Sequence, residues 1–104
     1  MRRQVEVYLY GKHIGLLRQN DDGYLFEYNN GYMGPPLSLS FPVNQGRFYS
    51  DSLHPYFASL APEGWLRKRY SQLQQLDEND LFGILIQNGK NLIGAVQLIV
   101  ENEV

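Results

Sequence analysis

The sequence predicts an α+β fold, in which a small antiparallel β-sheet, an N-terminal meander plus a closing C-terminal strand, is packed with about three helices. Three observations predict it. The first 50 residues alternate apolar and polar side chains between turn signals. The following stretch, to Gly89, carries apolar residues at helical spacing. Ala95–Val100 then returns to a short apolar run of strand type.

The elements follow in order. Val5, Val7 and Leu9 alternate with Glu6, Tyr8 and Tyr10, the pattern of a half-buried strand. Gly11–Lys12 turns the chain, and Ile14 and Leu16 start a second strand. Asn20–Asp21–Asp22–Gly23 is a hairpin signal, because Asp-Gly supplies the positive φ of a tight turn. Tyr24, Phe26 and Tyr28 line one face of a third strand. Asn29 to Pro36 is a loop. Leu37, Leu39 and Phe41 alternate with Ser38 and Ser40 as a short strand that Pro42 ends. Asn44–Gln45–Gly46 turns again, and Arg47–Tyr49 is expected to pair briefly.

Ser50, Asp51 and Ser52 are candidate N-caps for a helix carrying Leu53, Phe57 and Leu60, with Pro55 tolerated in its first turn. Pro62 begins the next helix, which ends near Leu76. Asp77–Glu78–Asn79 caps a third helix with Leu81, Phe82, Ile84, Leu85 and Ile86. That helix is apolar nearly all round and so is expected to be buried, with Asn88–Gly89 as its stop. The acidic tail Glu101–Val104 is expected to fray.

A chain of 104 residues suits a single domain, residues 1–104, with one modest core. The net charge of −2 argues against a generic grip on nucleic acid, which needs a basic surface, so no strong direct nucleic-acid binding is expected. The chain has no cysteine, which excludes disulfides and thiolate metal sites and fits a reducing cytosol. No secretory pattern follows Met1–Arg2–Arg3–Gln4, and no run approaches the ~20 apolar residues that span a bilayer. A cytoplasmic protein without a membrane partner is the expectation. Eight tyrosines, five phenylalanines and one tryptophan suggest half-buried pleated surfaces and an interface.

Candidate catalytic chemistry is sparse. His13 and His54 lie far apart, without metal-ligand spacing, and read as ordinary partly exposed histidines. Asp21–Asp22 reads as a hairpin turn, and Asp77–Asp80 as a helix start whose carboxylates complement the macrodipole. Residues 88–94 hold a Gly–Lys pair but lack the leading glycine and the hydroxyl residue of a phosphate loop. Neither a nucleophile elbow nor a kinase signature is present. The expectation is a protein that is no enzyme and uses no cofactor or metal.

The distinctive stretch is Ser59–Tyr70. Read as a helix, Leu66, Tyr70, Leu73 and Leu76 form an apolar stripe. Trp65 is off that stripe, with Lys68, Arg69 and Gln72 at its helical neighbours. A large aromatic beside cations has the character of a binding hot spot. Arg67, Lys68 and Arg69 then read either as a solvated face or as the polar rim of an interface. The bland alternative for Trp65 is a core tryptophan, rotated inward at the helix start by Gly64.

Three segments in one order carry a family resemblance. They are Pro36–Leu37–Ser38–Leu39–Ser40–Phe41–Pro42; Phe57 through Arg69, with Leu60–Ala61–Pro62–Glu63–Gly64; and Asp80–Leu81–Phe82–Gly83–Ile84–Leu85, followed by Gly94–Ala95–Val96. The ordered set resembles the N-terminal subdomain of HipA-type serine/threonine kinases, over nearly the whole chain. In HipA proteins this subdomain leads into a far larger kinase, whereas this sequence stops at Val104 after the closing strand. A free-standing protein of this shape is similar to the HipS-like small antitoxins of HipBST modules. The resemblance implies a HipA-like (HipT-like) kinase toxin as partner and a HipB-like helix-turn-helix DNA-binding protein in a ternary complex. It implies an antitoxin role; joined to the missing kinase motifs and the displaced aromatic, the expectation is that Trp65 inserts in or near the kinase cleft, with Glu63 and Gly64 shaping the loop and Arg67, Lys68 and Arg69 as rim contacts. The alternative is a scaffold or activating subunit that completes the N-lobe of a split kinase. A nucleic-acid-binding β module with stacked tyrosines is a third reading, opposed by the acidic balance. Two departures from the family stand out. Asn91 occupies a position where HipA-type sequences tend to have Asp, and Trp65 one where they often have Pro or a small residue.

Overall fold

A computed structural model describes residues 3–61, 68–69, 72–75, 77, 79–89 and 95–100. Strands β1 (Arg3–Leu9), β2 (Lys12–Asn20), β3 (Gly23–Tyr28), β4 (Arg47–Ser50) and β5 (Val96–Ile99) form one antiparallel sheet in the order β4-β3-β2-β1-β5. The α+β class and the meander with a closing strand are as the sequence predicts. Helices α1 (Pro55–Ala58) and α2 (Leu81–Asn88) are separated by further helical residues at 68–69 and 72–74.

Alternation explains most of the sheet. Val5, Val7, Phe26, Tyr28, Val96 and Leu98 are buried in one apolar cluster with Phe57, Phe82 and Leu85 from the helices. Strand β2 departs from simple alternation. Tyr8 pairs with His13 but Val7 pairs with Gly15, so Ile14 is an extra, bulged residue. The bulge turns Ile14 and Leu17 into the core, each 1% exposed, while Leu16 is only half-buried. Gly15 makes this possible, because a Cβ there would overlap the Glu27 carbonyl oxygen on β3. In the next hairpin Asp21 and Asp22 form the loop, and Gly23, at φ +145°, is the first residue of β3 rather than part of the loop.

Residues 37–41 correct one expectation: they are not a strand. Leu37 and Phe41 are buried but Leu39 is 99% exposed, which simple alternation of the three does not allow. The reason is local and side-chain based. The Ser40 amide donates to Ser38 Oγ at 3.1 Å, and the Phe41 amide to the Ser38 carbonyl at 3.0 Å, closing a turn. The buried Tyr28 hydroxyl accepts from the Leu37 amide at 2.8 Å and donates to the Phe41 carbonyl at 2.6 Å. Burial pushes the Tyr28 hydroxyl pKa up, so it stays a proton donor to Phe41. Tyr32 stacks on Tyr28 at 5.3 Å and donates to the Pro35 carbonyl.

Two caps also differ from expectation. The N-cap of α1 is His54, whose Nδ1 accepts from the Tyr56 amide at 3.0 Å; Ser50 ends β4, and Asp51 and Ser52 precede the cap. The cap of α2 is Asp80, whose Oδ1 accepts from the Gly83 amide at 3.1 Å. Asp77 instead holds the preceding turn by accepting from the Asn79 amide, and Glu78 lies outside the described residues. Helix α2 buries Phe82, Gly83, Ile84 and Leu85, as its composition predicts. It does stop at Gly89, but with right-handed backbone. The need for glycine there is contact rather than φ: a Cβ would overlap the Leu98 carbonyl oxygen on β5.

Candidate partner-binding site

The sequence-predicted site falls in the segment between α1 and α2, and the structure fixes both ends of that segment. At its start, Phe57 is fully buried and contacts the rings of Phe26 and Phe41 at 5.5 and 5.6 Å. The Leu60 amide bonds the Phe57 carbonyl and the Ala61 amide the Ala58 carbonyl, tightening the exit from α1. Ala61 itself is 4% exposed. The chain is therefore still within the core at Ala61.

At the far end, Gln74 and Asn88 form a reciprocal amide pair. Gln74 Nε2 donates to Asn88 Oδ1 at 3.0 Å, and Asn88 Nδ2 donates to Gln74 Oε1 at 3.1 Å. Asn88 Nδ2 also donates to the Ile84 carbonyl, which ties the pair to α2. Gln75 has φ +56°, a left-handed residue that ends the helical run near the expected position. Asp80 then locks α2 to β1. Arg3 Nη1 and Nη2 donate to its two carboxylate oxygens at 2.9 and 3.0 Å, a bidentate pair across the fold. The Arg3 guanidinium also lies 5.1 Å from the Phe82 ring centroid and donates through Nε to Gln19. The Arg3 hydrogen bonds hold the Asp80 carboxyl below its usual range against an opposing push from burial, and the Gly83 amide assists.

Between these anchors, Lys68 and Arg69 are helical and exposed, as an interface rim requires. Glu63, Gly64, Trp65 and Arg67 lie outside the described residues. Leu73, from the stripe used to phase Trp65, is 67% exposed, so this position is not core as the helical pattern implies. Leu66, Tyr70 and Leu76 lie outside the described residues. Between Ala61 and Asp77 the described residues thus show two cations, Gln72, Leu73 and Gln75 to solvent. Nothing in that set is a nucleophile, or a base oriented by a second group. Its chemistry is that of contact: cationic heads for a carboxylate or phosphate, and one apolar side chain for a pocket.

The histidines have structural work. His13 Nε2 faces both Glu6 Oε2 and the Gly15 carbonyl, two acceptors that require a proton on that nitrogen. His54 is the α1 cap and packs 4.6 Å from the Phe41 ring. Among the described residues no group of three His, Cys, Asp or Glu side chains is placed to hold a metal ion. No helix among them is long and apolar enough to cross a membrane.

Sequence reasoning missed the Arg3–Asp80 pair and the Gln74–Asn88 pair. The first joins residues 77 positions apart, and no local pattern signals it. The second had a faint signal in two amides that follow apolar helical runs.

Comparison with known proteins places this geometry. Residues 5–99 match the family model described as "HipA N-terminal domain". An uncharacterised protein of Haemophilus influenzae is 54% identical over 101 residues, covering 97% of this chain and 95% of that protein. A protein of Sinorhizobium fredii named as putative kinase Y4dM is 32% identical over 103 residues, covering 88% of this chain but only 25% of its own length. A solved structure described as "N-terminal domain of HipA toxin" superposes with a TM-score of 0.81 at 50% identity, covering 100% of this chain and 96% of that one.

Proposed function

The chain belongs to the HipA N-terminal domain family, and from that premise we propose that it is a non-catalytic antitoxin. It binds and neutralises a HipA-like serine/threonine kinase toxin, in a cytoplasmic complex that also holds a HipB-like DNA-binding protein. The observation that carries this reading is the extent of the similarity. The match is to the N-terminal domain, and the Haemophilus relative consists almost wholly of that domain. In the Sinorhizobium protein the same domain is a quarter of a putative kinase. A domain that occurs both within such a chain and nearly by itself is suited to dock on a kinase from outside.

In this reading Trp65 is the anchor, placed in or near the active-site cleft, with Glu63 and Gly64 shaping its loop. Arg67, Lys68 and Arg69 form the rim, and the exposure of Lys68 and Arg69 supports that role. Trp65→Ala is the test. Truncating an anchoring tryptophan weakens binding by about 2–4 kcal/mol, or roughly 30- to 1,000-fold. The variant is expected to keep its circular dichroism spectrum, to fail in pull-down of the kinase and to lose rescue of growth. A folded variant that binds and rescues like wild type refutes the anchor.

The quarter-length match to a putative kinase also favours a second reading, in which the domain completes a kinase N-lobe as a scaffold or activating subunit. Phosphorylation assays with and without the small protein separate the two: suppression supports the antitoxin, stimulation the scaffold.

A further inference from the structure

Among the described residues the β4 edge of the sheet is uncovered, and its backbone groups can be assigned individually. Strand β4 pairs with β3 alone, through Tyr24↔Ser50, Leu25↔Tyr49, Phe26↔Phe48 and Glu27↔Arg47. The Tyr28 amide donates to the Gly46 carbonyl at 3.0 Å, so residues 46, 48 and 50 direct their backbone groups towards β3. Arg47 and Tyr49 therefore direct theirs outward. Gln45 confirms the parity, since its Nε2 donates to the outward Arg47 carbonyl at 3.2 Å. Among the described residues nothing bonds the Arg47 amide or the Tyr49 amide and carbonyl. The opposite edge, β5, is approached by α2, where Gly89 packs on the Leu98 carbonyl.

The surroundings of this edge state what would suit it. The Tyr49 side chain is 71% exposed. At the end of β4 lies an open concavity of about 520 Å³ lined by Asn20, Asp22, Tyr49, Ser50 and Asp51. Asp22 and Asp51 are exposed, and neither carboxylate has an ion-pair partner among the described residues. A strand added to β4 would run past this acidic end. Unpaired donors and acceptors with an adjacent pocket of one charge are the two halves of recognition by strand addition: the backbone gives affinity, and the side-chain site gives selectivity.

We propose that the outer edge of β4 is a strand-addition site for an extended basic peptide segment, whose backbone pairs with Arg47 and Tyr49 and whose lysine or arginine enters the concavity between Asp22 and Asp51. The occupant is a partner's segment rather than a second copy of β4, because charge complementarity at the acidic end calls for a cation. The site lies on the sheet edge and is independent of the antitoxin reading.

The test is an amide-resonance titration of the full chain with a capped heptapeptide alternating valine and lysine, beside its valine–glutamate counterpart. The lysine peptide is expected to shift the Arg47 and Tyr49 amides saturably, with a Kd of about 1 mM, and the glutamate peptide to bind at least fivefold more weakly. Asp22→Asn with Asp51→Asn is expected to weaken the lysine peptide about fivefold, and added salt to do the same. Tyr49→Pro removes an outward N–H without touching the β3 ladder and is expected to abolish the shifts, while unchanged Phe57 and Leu85 resonances report an intact core. The proposal is overturned by an absence of saturable shifts at those amides, by equal binding of the two peptides, or by shifts centred elsewhere. It is also overturned by a concentration-dependent dimer that occupies the same edge.

Discussion

Replacing Tyr28 by phenylalanine removes one oxygen atom and tests the account of residues 29–42. The hydroxyl serves two main-chain groups, accepting from the Leu37 amide at 2.8 Å and donating to the Phe41 carbonyl at 2.6 Å. Leu37, Phe41 and Tyr28 are all buried, at 7%, 1% and 5% exposure, so water does not readily replace it. Each orphaned buried group costs about 1–3 kcal/mol, the carbonyl towards the lower end because it has a second lone pair. The ring stays, with its contacts to Phe26 at 4.8 Å and Tyr32 at 5.3 Å, so the packing term is small. The expected loss is about 2–4 kcal/mol, a large share of the ~5–15 kcal/mol that holds a domain of this kind together. In urea melts followed by circular dichroism the midpoint is expected to fall by about 1–2 M with an unchanged slope. Hydrogen exchange at the Leu37 amide is expected to accelerate by more than at Val5 or Val7. A loss below about 0.5 kcal/mol, or Leu37 exchange as slow as in the native chain, refutes the pinning role of the hydroxyl.

Gly89→Ala is expected to destabilise by about 2–4 kcal/mol in the same melts, because the new methyl meets a backbone oxygen rather than a movable side chain. Helix propensity alone predicts the opposite sign, a gain of about 0.5–1 kcal/mol, so the direction of the change decides. Asp80→Asn keeps a good cap and removes the charge that pairs with Arg3. With its side chain 37% exposed, the loss at neutral pH is expected to be about 1 kcal/mol. Because the folded pKa of Asp80 lies below the ordinary 3.8, that stability is present above the unfolded value and is lost as pH falls through the folded one. The melts of the native chain and of the Asp80→Asn variant should therefore converge in acid, and a gap that persists there refutes the ion-pair explanation.

The elements that the sequence displays plainly are those governed by one rule at a time. Val5, Val7, Phe26 and Tyr28 obey a two-residue period and lie in the core, and Phe82, Ile84 and Leu85 belong to an apolar helix that is buried. The errors arise where a side chain competes with that period. Leu37, Ser38, Leu39, Ser40 and Phe41 alternate perfectly as letters, yet the Ser38 hydroxyl and the Tyr28 hydroxyl take the backbone bonds a strand would need. The cap of α1 is a histidine because Pro55 fixes the first turn, leaving the preceding residue, rather than the nearby serines, within reach of the Tyr56 amide. At the candidate site, the cationic exposure of Lys68 and Arg69 was legible from charge and phase. The exposure of Leu73 was not, since an apolar residue at helical spacing looks the same whether the protein's own core or solvent lies beyond it.

The bulge at Ile14 gives β2 a property its neighbours lack. Lys12 and His13 follow one inside–outside phase against β1, and Gly15 to Gln19 follow the other. An insertion or deletion of one residue in a regular strand exchanges its two faces from that point to the next turn. In β2 the exchange has already been made and absorbed at a residue whose neighbour is glycine. Removing that extra residue would restore a uniform ladder in which His13 still faces Tyr8 and Gly15 still faces Val7, at the loss of the buried Ile14 side chain, leaving the longer segment through Asn20 untouched. The meander thus carries its tolerance for length change at one known position near the first turn. Homologous chains that differ in length between Gly11 and Gly15 need not differ in the strand that follows.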